Sequence, residues 1–356
     1  MSFQGWDSVQ VKTKDGLKPA IAPVIISASR ATDIPAFYSD WLMRRLEAGY
    51  VKWINPFNRQ AQYVSFAKTR VIVFWTKNAK PLIKHLPVLD RMGINYYFTF
   101  TVNDYEAEGL EPNLPKLSAR IQTFQQLAKT IGKKKIIWRF DPLILGKDLT
   151  VERLLQKVQR VGEALHPFTE KLVISFADIS IYKRVQRNLI NGGFADYLEF
   201  DQPKMEAIAA GLAEINREWG LQIATCGEEI DLAAYGITQN KCIDAQVMIE
   251  LFPHDQDLMK FLGEEPPQPS LFPGITESGR RSINLKDRGQ RRSCGCIASK
   301  DIGQYNTCMH LCKYCYANYS EELVRKNYRQ KRDINAEGIL RDFKNDTAAP
   351  PSWQSR

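Results

Sequence analysis

The chain has 356 residues, 44% of them hydrophobic and 25% charged, with a net charge of +9. That balance fits a soluble globular protein of one large domain or two modest ones. No stretch reaches the roughly 20 uncharged apolar residues that a membrane span needs. The opening MSFQGWDSVQVKTKDG has no apolar core, so no secretory signal is expected and a cytoplasmic location is. The charge is uneven: residues 280–333 hold 13 Lys/Arg against 5 Asp/Glu, +8 of the total. A solvated basic face and a surface for an anionic partner both account for it.

From residue 23 to about 250, short β-like runs alternate with helix-like segments. The strand candidates are PVIISAS (23–29), YVKWINP (50–56), RVIVFWT (70–76), YYFTFTV (96–102), KIIWRFD (135–141), KLVISFA (171–177), YLEFD (197–201) and LQIATC (221–226). A further apolar run is AQVMIEL (245–251). Most are continuous rather than alternating, as strands buried on both faces of a parallel sheet are. Segments of helical period lie between them at 37–49, 113–132, 150–166 and 204–220. The first ends at Gly49 and the last at Gly220, where helix C-caps are expected. Eight strand–helix alternations predict an α/β fold, a (β/α)8 TIM-like barrel over 20–258. An open doubly wound sheet is the alternative, and the absence of G-x-G-x-x-G after the first strand weakens its dinucleotide-binding form. A Pro-rich and basic linker is expected at 259–293, a cysteine-rich cluster-binding segment at 294–335, and a tail at 336–356.

The strand ends are polar. They carry Ser29, Arg30, Asp33, Asn55, Asn58, Lys77, Asn78, Thr101, Asn103, Arg139, Asp141, Asp178, Glu228 and Glu229. In a barrel these gather at the C-terminal face, where active sites are built. Alternation puts Arg139 and Asp141 on one face of their strand and Trp138 and Phe140 on the other. A charged pair at a barrel mouth needs a partner, so Arg139 and Asp141 are the candidate catalytic residues.

Near the C-terminus CMHLCKYCYAN sets Cys308, Cys312 and Cys315 in a C-x-x-x-C-x-x-C spacing. A reducing cytosol argues against disulfides and for metal or redox chemistry. Structural zinc takes four tetrahedral ligands, and Cys294 and Cys296 could complete such a set. A four-iron cube takes one thiolate per iron, so three cysteines leave one iron open. Cys226, Cys242, Cys294 and Cys296 are candidates for a second metal site, iron–sulfur or zinc. The alternative for Cys226 and Cys242 is a pair of buried small apolar side chains.

The three-cysteine spacing, with an aromatic residue before the last cysteine, resembles the cluster loop of the radical S-adenosylmethionine enzymes. That resemblance implies a [4Fe–4S] cluster, S-adenosylmethionine, a 5′-deoxyadenosyl radical, and an electron donor such as a flavodoxin or ferredoxin. With that cofactor implied, Tyr314 is expected to pack over the cluster or cofactor, and Asn318 and Glu228 to contact the cofactor. The superfamily usually carries the loop after the first barrel strand, whereas here it follows the last. The stretch KDRGQRRSCGCIASKDIGQYNTCMHLCKYCYAN, with SASRATDIPAFY, WTKN, WRFDP and TCGEEIDL, closely resembles the family called domain of unknown function 1848, over most of the chain. It implies a cluster-binding barrel and names no substrate. YYFTFT and WRFDPLIL are distantly similar to spore photoproduct lyase. By analogy with that DNA-lesion enzyme, a nucleic acid or nucleotide substrate is expected near Arg280, Arg281, Lys286, Arg288, Arg291 and Arg292, above Arg30, Lys77 and Arg139.

Overall fold

The computed structural model describes residues 3–264, 268–269, 276–277, 283–291, 293–330 and 333–340. Its centre is an eight-stranded parallel sheet. The strand order is Thr238–Gln239, Gln222–Thr225, Lys171–Phe176, Ile136–Leu143, Asn95–Thr101, Val71–Thr76, Ile25–Ala28 and Lys300–Asp301. All seven ladders are parallel, with pairs such as Ile26↔Ile72 and Phe100↔Trp138 in register. From Ile25 to Gln239 the strands sit in chain order. The Lys300–Asp301 strand then returns beside Ile25–Ala28.

The apolar runs explain why these strands are central. Ile26, Ile72, Phe74, Phe98, Phe100, Trp138, Phe140, Leu172 and Ile174 face one way. They pack against apolar stripes of the helices Ser39–Ala48, Leu117–Ile131, Val151–Leu165 and Gln202–Trp219. Ile25, Val71, Val73, Tyr97, Ile137 and Val173 face the other way. They meet Met248, Phe252, Leu258, Leu285 and Ile297. A sheet with both faces covered has no use for polar alternation. Gly49 and Gly220 close their helices in the left-handed conformation, at φ +80° and +62°, as their positions in the sequence foretell.

Three expectations about single elements need correction, and so does the closed barrel. Tyr50–Ile54 is a strand of a separate four-stranded sheet, ordered Asp7–Thr13, Gly16–Ala22, Ala61–Ser65, Tyr50–Ile54. Tyr197–Leu198 pairs only with Leu145–Gly146, outside the large sheet. Ala245–Leu251 is a helix, N-capped by Asp244 through the amide of Gln246. A seven-residue apolar run suits either element, and the cap decides it. The large sheet is also not a closed barrel by strand pairing. Among the described residues no ladder joins Thr238–Gln239 to Lys300–Asp301, although the amide of Ile297 donates to the carbonyl of Ile243 at 3.0 Å between those edges. No helix of the described residues is long and apolar enough to cross a membrane.

The segment bearing the three cysteines is held by both sheets and the first long helix. Tyr38 donates its hydroxyl to Thr307 O at 2.8 Å, Trp41 its indole N–H to Ala336 O at 2.8 Å, and Trp53 to Gly303 O at 2.9 Å. Gly303 lies so close to Ser29 that a Cβ there would fall 1.9 Å from Ser29 Oγ.

Candidate functional site

The loop 308–318 lies over the C-terminal ends of the strands Ile25–Ala28, Val71–Thr76, Asn95–Thr101 and Ile136–Leu143. Its contacts fix that position. His310 Nε2 is 2.8 Å from Asp33 Oδ2, and the amide of Lys313 donates to Leu110 O at 2.9 Å. Asn318 Nδ2 donates to Cys308 O at 2.9 Å, and Cys315 N to Cys312 O at 3.1 Å, which folds the loop on itself. Leu311, between two of the cysteines, has φ +55°. A bulky side chain in that region is strained unless its surroundings enforce it, and such strain gathers at functional sites.

Beneath Tyr314 is a buried polar cluster. Lys77 Nζ lies 2.8 Å from Glu111 Oε1 and 2.9 Å from the Tyr314 hydroxyl. Tyr314 donates a short hydrogen bond to Glu111. Asn103 Nδ2 reaches Glu111, the Asp141 carbonyl and the Tyr314 oxygen at 3.1–3.2 Å. Arg120 Nη1 is 3.4 Å from Glu111. Burial works against the Lys77 ammonium, but Glu111 and then Cys312 outweigh it and raise its pKa. Burial likewise opposes the Glu111 carboxylate, and Lys77 and Arg120 outweigh it, so Glu111 titrates below its usual value.

Arg139 and Asp141 share a face and pair with each other, Nη2 to Oδ2 at 2.6 Å. The Asp141 amide donates to Asn103 Oδ1 at 2.9 Å, and Ser175 gives its carboxylate a short hydrogen bond. Burial again opposes the Asp141 charge, and Arg139 overcomes it, lowering the pKa. Arg139 also donates Nη1 to Cys242 Sγ at 3.1 Å. Glu228 is buried at the end of Gln222–Thr225 and accepts from the amide of Phe176 at 2.9 Å. Burial pushes its pKa up to about 7.

All seven cysteines are free thiols. Burial raises Cys308, Cys312 and Cys315, Cys312 to about 12, and the charges of the neighbouring thiols add to the shift at each of the first two. Cys226, Cys242, Cys294 and Cys296 form a second group on the inner face of the sheet. The Cys226 and Cys242 sulfurs are 3.2 Å apart, and the amides of Cys242 and Ile243 donate to Cys296 Sγ at 3.2 and 3.4 Å. The hydrogen bond with Cys296 lowers Cys294 to about 7. Among the described residues, no set of three or more His, Cys, Asp or Glu side chains is arranged as a bound ion requires.

The structure thus brings Lys77, Asn103, Arg139, Asp141 and Tyr314 into one network, with Asp33 and the cysteine loop beside it. Glu228 lies at another strand end. Of the basic residues before the cysteines, Arg280, Arg281 and Arg292 lie outside the described residues. Arg291 meets Asp178 at 3.4 Å and hydrogen-bonds Tyr182. Sequence reading missed Glu111, which sits in a connection with no periodic signal. It also missed Asp301, which accepts from Ser27, Ser29, Arg30 N and Gly303 N at 2.7–3.0 Å.

A family model described as "Domain of unknown function (DUF1848)" matches residues 25–317. The chain belongs to this family. The match runs from the first strand of the large sheet through the third cysteine of the loop, so sheet and loop are covered together. No curated protein matches the chain. Among solved structures, one described as a "putative alpha-L-fucosidase" from Bacteroides thetaiotaomicron VPI-5482 is 8% identical, covering 74% of this chain and 84% of that one. Its TM-score is 0.24, too low for the likeness to bear on fold or function.

Proposed function

We propose that this member of the DUF1848 family is an iron–sulfur enzyme of the radical S-adenosylmethionine type. The observation that carries the reading is the loop itself: three thiols at C-x-x-x-C-x-x-C spacing, Cys312 buried and Cys308 and Cys315 half-buried, strapped across the strand ends beside a buried ionic cluster. The donor set fits a three-thiolate cluster in chemistry and number. Two polar atoms in the loop, His310 Nδ1 and Asn318 Oδ1, are buried without a hydrogen-bond partner. Such orphans ask for a ligand or water. When bound, a [4Fe–4S] cluster with one open iron supplies the electron that cleaves a sulfonium C–S bond.

The chain's own residues have definite roles in this reading. Cys308, Cys312 and Cys315 would hold the metal as thiolates, their protons released to solvent as it binds. Lys77, whose charge reaches Cys312, offsets the negative charge of the thiolates. Asn318 offers its free amide oxygen to the methionine end of the cofactor. Arg139 and Asp141, fixed by each other and by Asn103, line the floor on which a substrate rests. We read the sheet as a barrel completed by side chains across its last gap, and the chain as a cytoplasmic protein served by a flavodoxin- or ferredoxin-like donor. The basic segment before the loop suits an anionic substrate of nucleotide or nucleic-acid type.

The test is anaerobic reconstitution with iron and sulfide, reduction with dithionite and addition of S-adenosylmethionine. The reading expects 5′-deoxyadenosine. Stoichiometric zinc at the loop, or a loaded cluster that never yields 5′-deoxyadenosine, would point instead to a non-catalytic metal protein that binds nucleic acid.

A further inference from the structure

Four cysteines remain outside the loop, and they come from three separate stretches of chain. Cys226 directly follows the Gln222–Thr225 strand. Cys242 follows Thr238–Gln239, one edge of the sheet. Cys294 and Cys296 precede Lys300–Asp301, the other edge. We propose that Cys226, Cys242, Cys294 and Cys296 form a second metal centre, a mononuclear tetrathiolate site for Zn2+ that ties the two edges of the sheet together. This does not depend on what the 308–315 loop does.

Three observations argue for it. The first is convergence. Cys226 and Cys242 put their sulfurs 3.2 Å apart, and Cys242 meets Cys296, 54 positions away in sequence, through its amide at 3.2 Å from Cys296 Sγ, with Cys294 two residues before it. Cysteines that serve only as small apolar filler have no reason to meet four at a time.

The second is the set of donors aimed at sulfur. The amides of Cys242 and Ile243 point at Cys296 Sγ, at 3.2 and 3.4 Å. Arg139 Nη1 and Asn240 Nδ2 point at Cys242 Sγ, at 3.1 and 3.2 Å. A neutral thiol is a weak acceptor, whereas a metal-bound thiolate keeps enough charge to use such donors. Four thiolates on Zn2+ leave a net charge of −2, and the Arg139 guanidinium is in place to offset part of it.

The third is size. Tetrahedral thiolates at about 2.3 Å from zinc stand about 3.8 Å from one another. The Cys226–Cys242 contact needs to open by only about half an ångström to reach that edge. Among the described residues the four sulfurs do not stand as a closed ligand set, so the site is completed by side-chain rotation as the ion binds. A four-iron cube gives each sulfur its own iron and so requires a much wider spread. Half-buried Cys294 leaves a side from which an ion can enter.

The position gives the site a purpose. Among the described residues, no strand pairing joins Gln239 to Lys300, and a single backbone–backbone hydrogen bond, Ile297 N to Ile243 O, spans the gap beside the cysteines. An ion there cross-links segments that the ladder leaves apart, and its binding energy becomes folding energy.

The experiment uses the full chain with Cys308, Cys312 and Cys315 all changed to Ala, made in zinc-supplemented medium and purified without oxygen. Elemental analysis should find about one zinc per chain and no acid-labile sulfide. Adding Cys294→Ser and Cys296→Ser should remove that zinc. X-ray absorption at the zinc edge of the wild-type chain needs no variant to fold, and should show four sulfurs at about 2.3 Å. Absence of zinc, zinc bound mainly through nitrogen or oxygen, iron with sulfide in the triple variant, or a Cys226–Cys242 disulfide in the metal-free protein would each overturn the proposal. Iron at the 308–315 loop is counted separately, so either site can fail while the other stands.

Discussion

His310 Nε2 sits 2.8 Å from Asp33 Oδ2, and both side chains are almost wholly buried. The same carboxylate accepts from the amides of Ala36 and Lys77 and from the hydroxyl of Thr76. One residue therefore caps a short helix, finishes a strand and clamps the cysteine loop. Asp33→Ala leaves these donors unmet in the interior and should cost about 3–5 kcal/mol of stability. Asp33→Asn keeps an acceptor and should cost roughly 1–2 kcal/mol. Urea denaturation measures both, and equal midpoints for wild type and Asp33→Ala would remove the clamp.

Lys77 and Glu111 form a buried ion pair that Arg120, Asn103 and Tyr314 complete. Lys77→Met leaves the buried Glu111 carboxylate with Arg120, 3.4 Å away, as its remaining cation and should destabilise by about 3 kcal/mol. The double change Lys77→Met with Glu111→Leu should be milder than the sum of the single changes, because the second removes the charge whose nearest partner the first takes away. Additive losses in a double-mutant cycle would show that the two groups do not depend on each other.

The cluster reading predicts a brown protein with absorbance at about 400 nm and on the order of four irons at the loop. Cys312→Ala should lose that colour and its iron while Cys242→Ala keeps them. Colour that survives Cys312→Ala would move the iron away from the loop.

Much of this architecture was legible in the sequence, for reasons that are local. The runs at 70–76, 96–102 and 135–141 are too apolar and too rich in β-branched and aromatic residues to be anything but buried strands. Gly49 and Gly220 announced helix ends, and period-two alternation put Arg139 and Asp141 together. What failed depends on distant partners. Tyr50–Ile54 reads as a strand, but only tertiary pairing assigns it to the smaller sheet. The edge strands Thr238–Gln239 and Lys300–Asp301 have two residues each, too few to carry a period. The cysteine loop was visible because its spacing is itself the signal. Glu111, Asp33 and His310 were not seen as a unit, because nothing local announces a contact across 277 positions.

An anionic substrate drawn to the basic segment predicts binding that weakens with salt. With three phosphate contacts, single-stranded DNA or RNA should show a log–log slope of about −2 against salt concentration. Titrations of single-stranded and duplex DNA, RNA and nucleotides at two ionic strengths measure it. If no ligand binds, or if binding ignores salt, the basic segment is a solvated face or a dock for an acidic electron donor.

Glu228 gives the protein a pH signature near neutrality. Burial lifts its pKa from 4.5 to about 7, although the Phe176 amide hydrogen bond works the other way. The folded chain then holds a proton that the unfolded chain releases at lower pH. Stability from this group is fully present below pH 4.5 and is lost as pH rises to about 7. Glu228→Gln keeps an acceptor for the Phe176 amide and carries no charge at any pH. The variant should match wild type at pH 4.5 and gain on it progressively. Above pH 7 the gain should reach up to about 3 kcal/mol, at about 1.4 kcal/mol per pKa unit. Denaturation curves for both proteins from pH 4.5 to 8 measure the difference. A gap that does not change with pH would mean that Glu228 ionises normally in the folded chain, with Arg291 or solvent compensating for its burial.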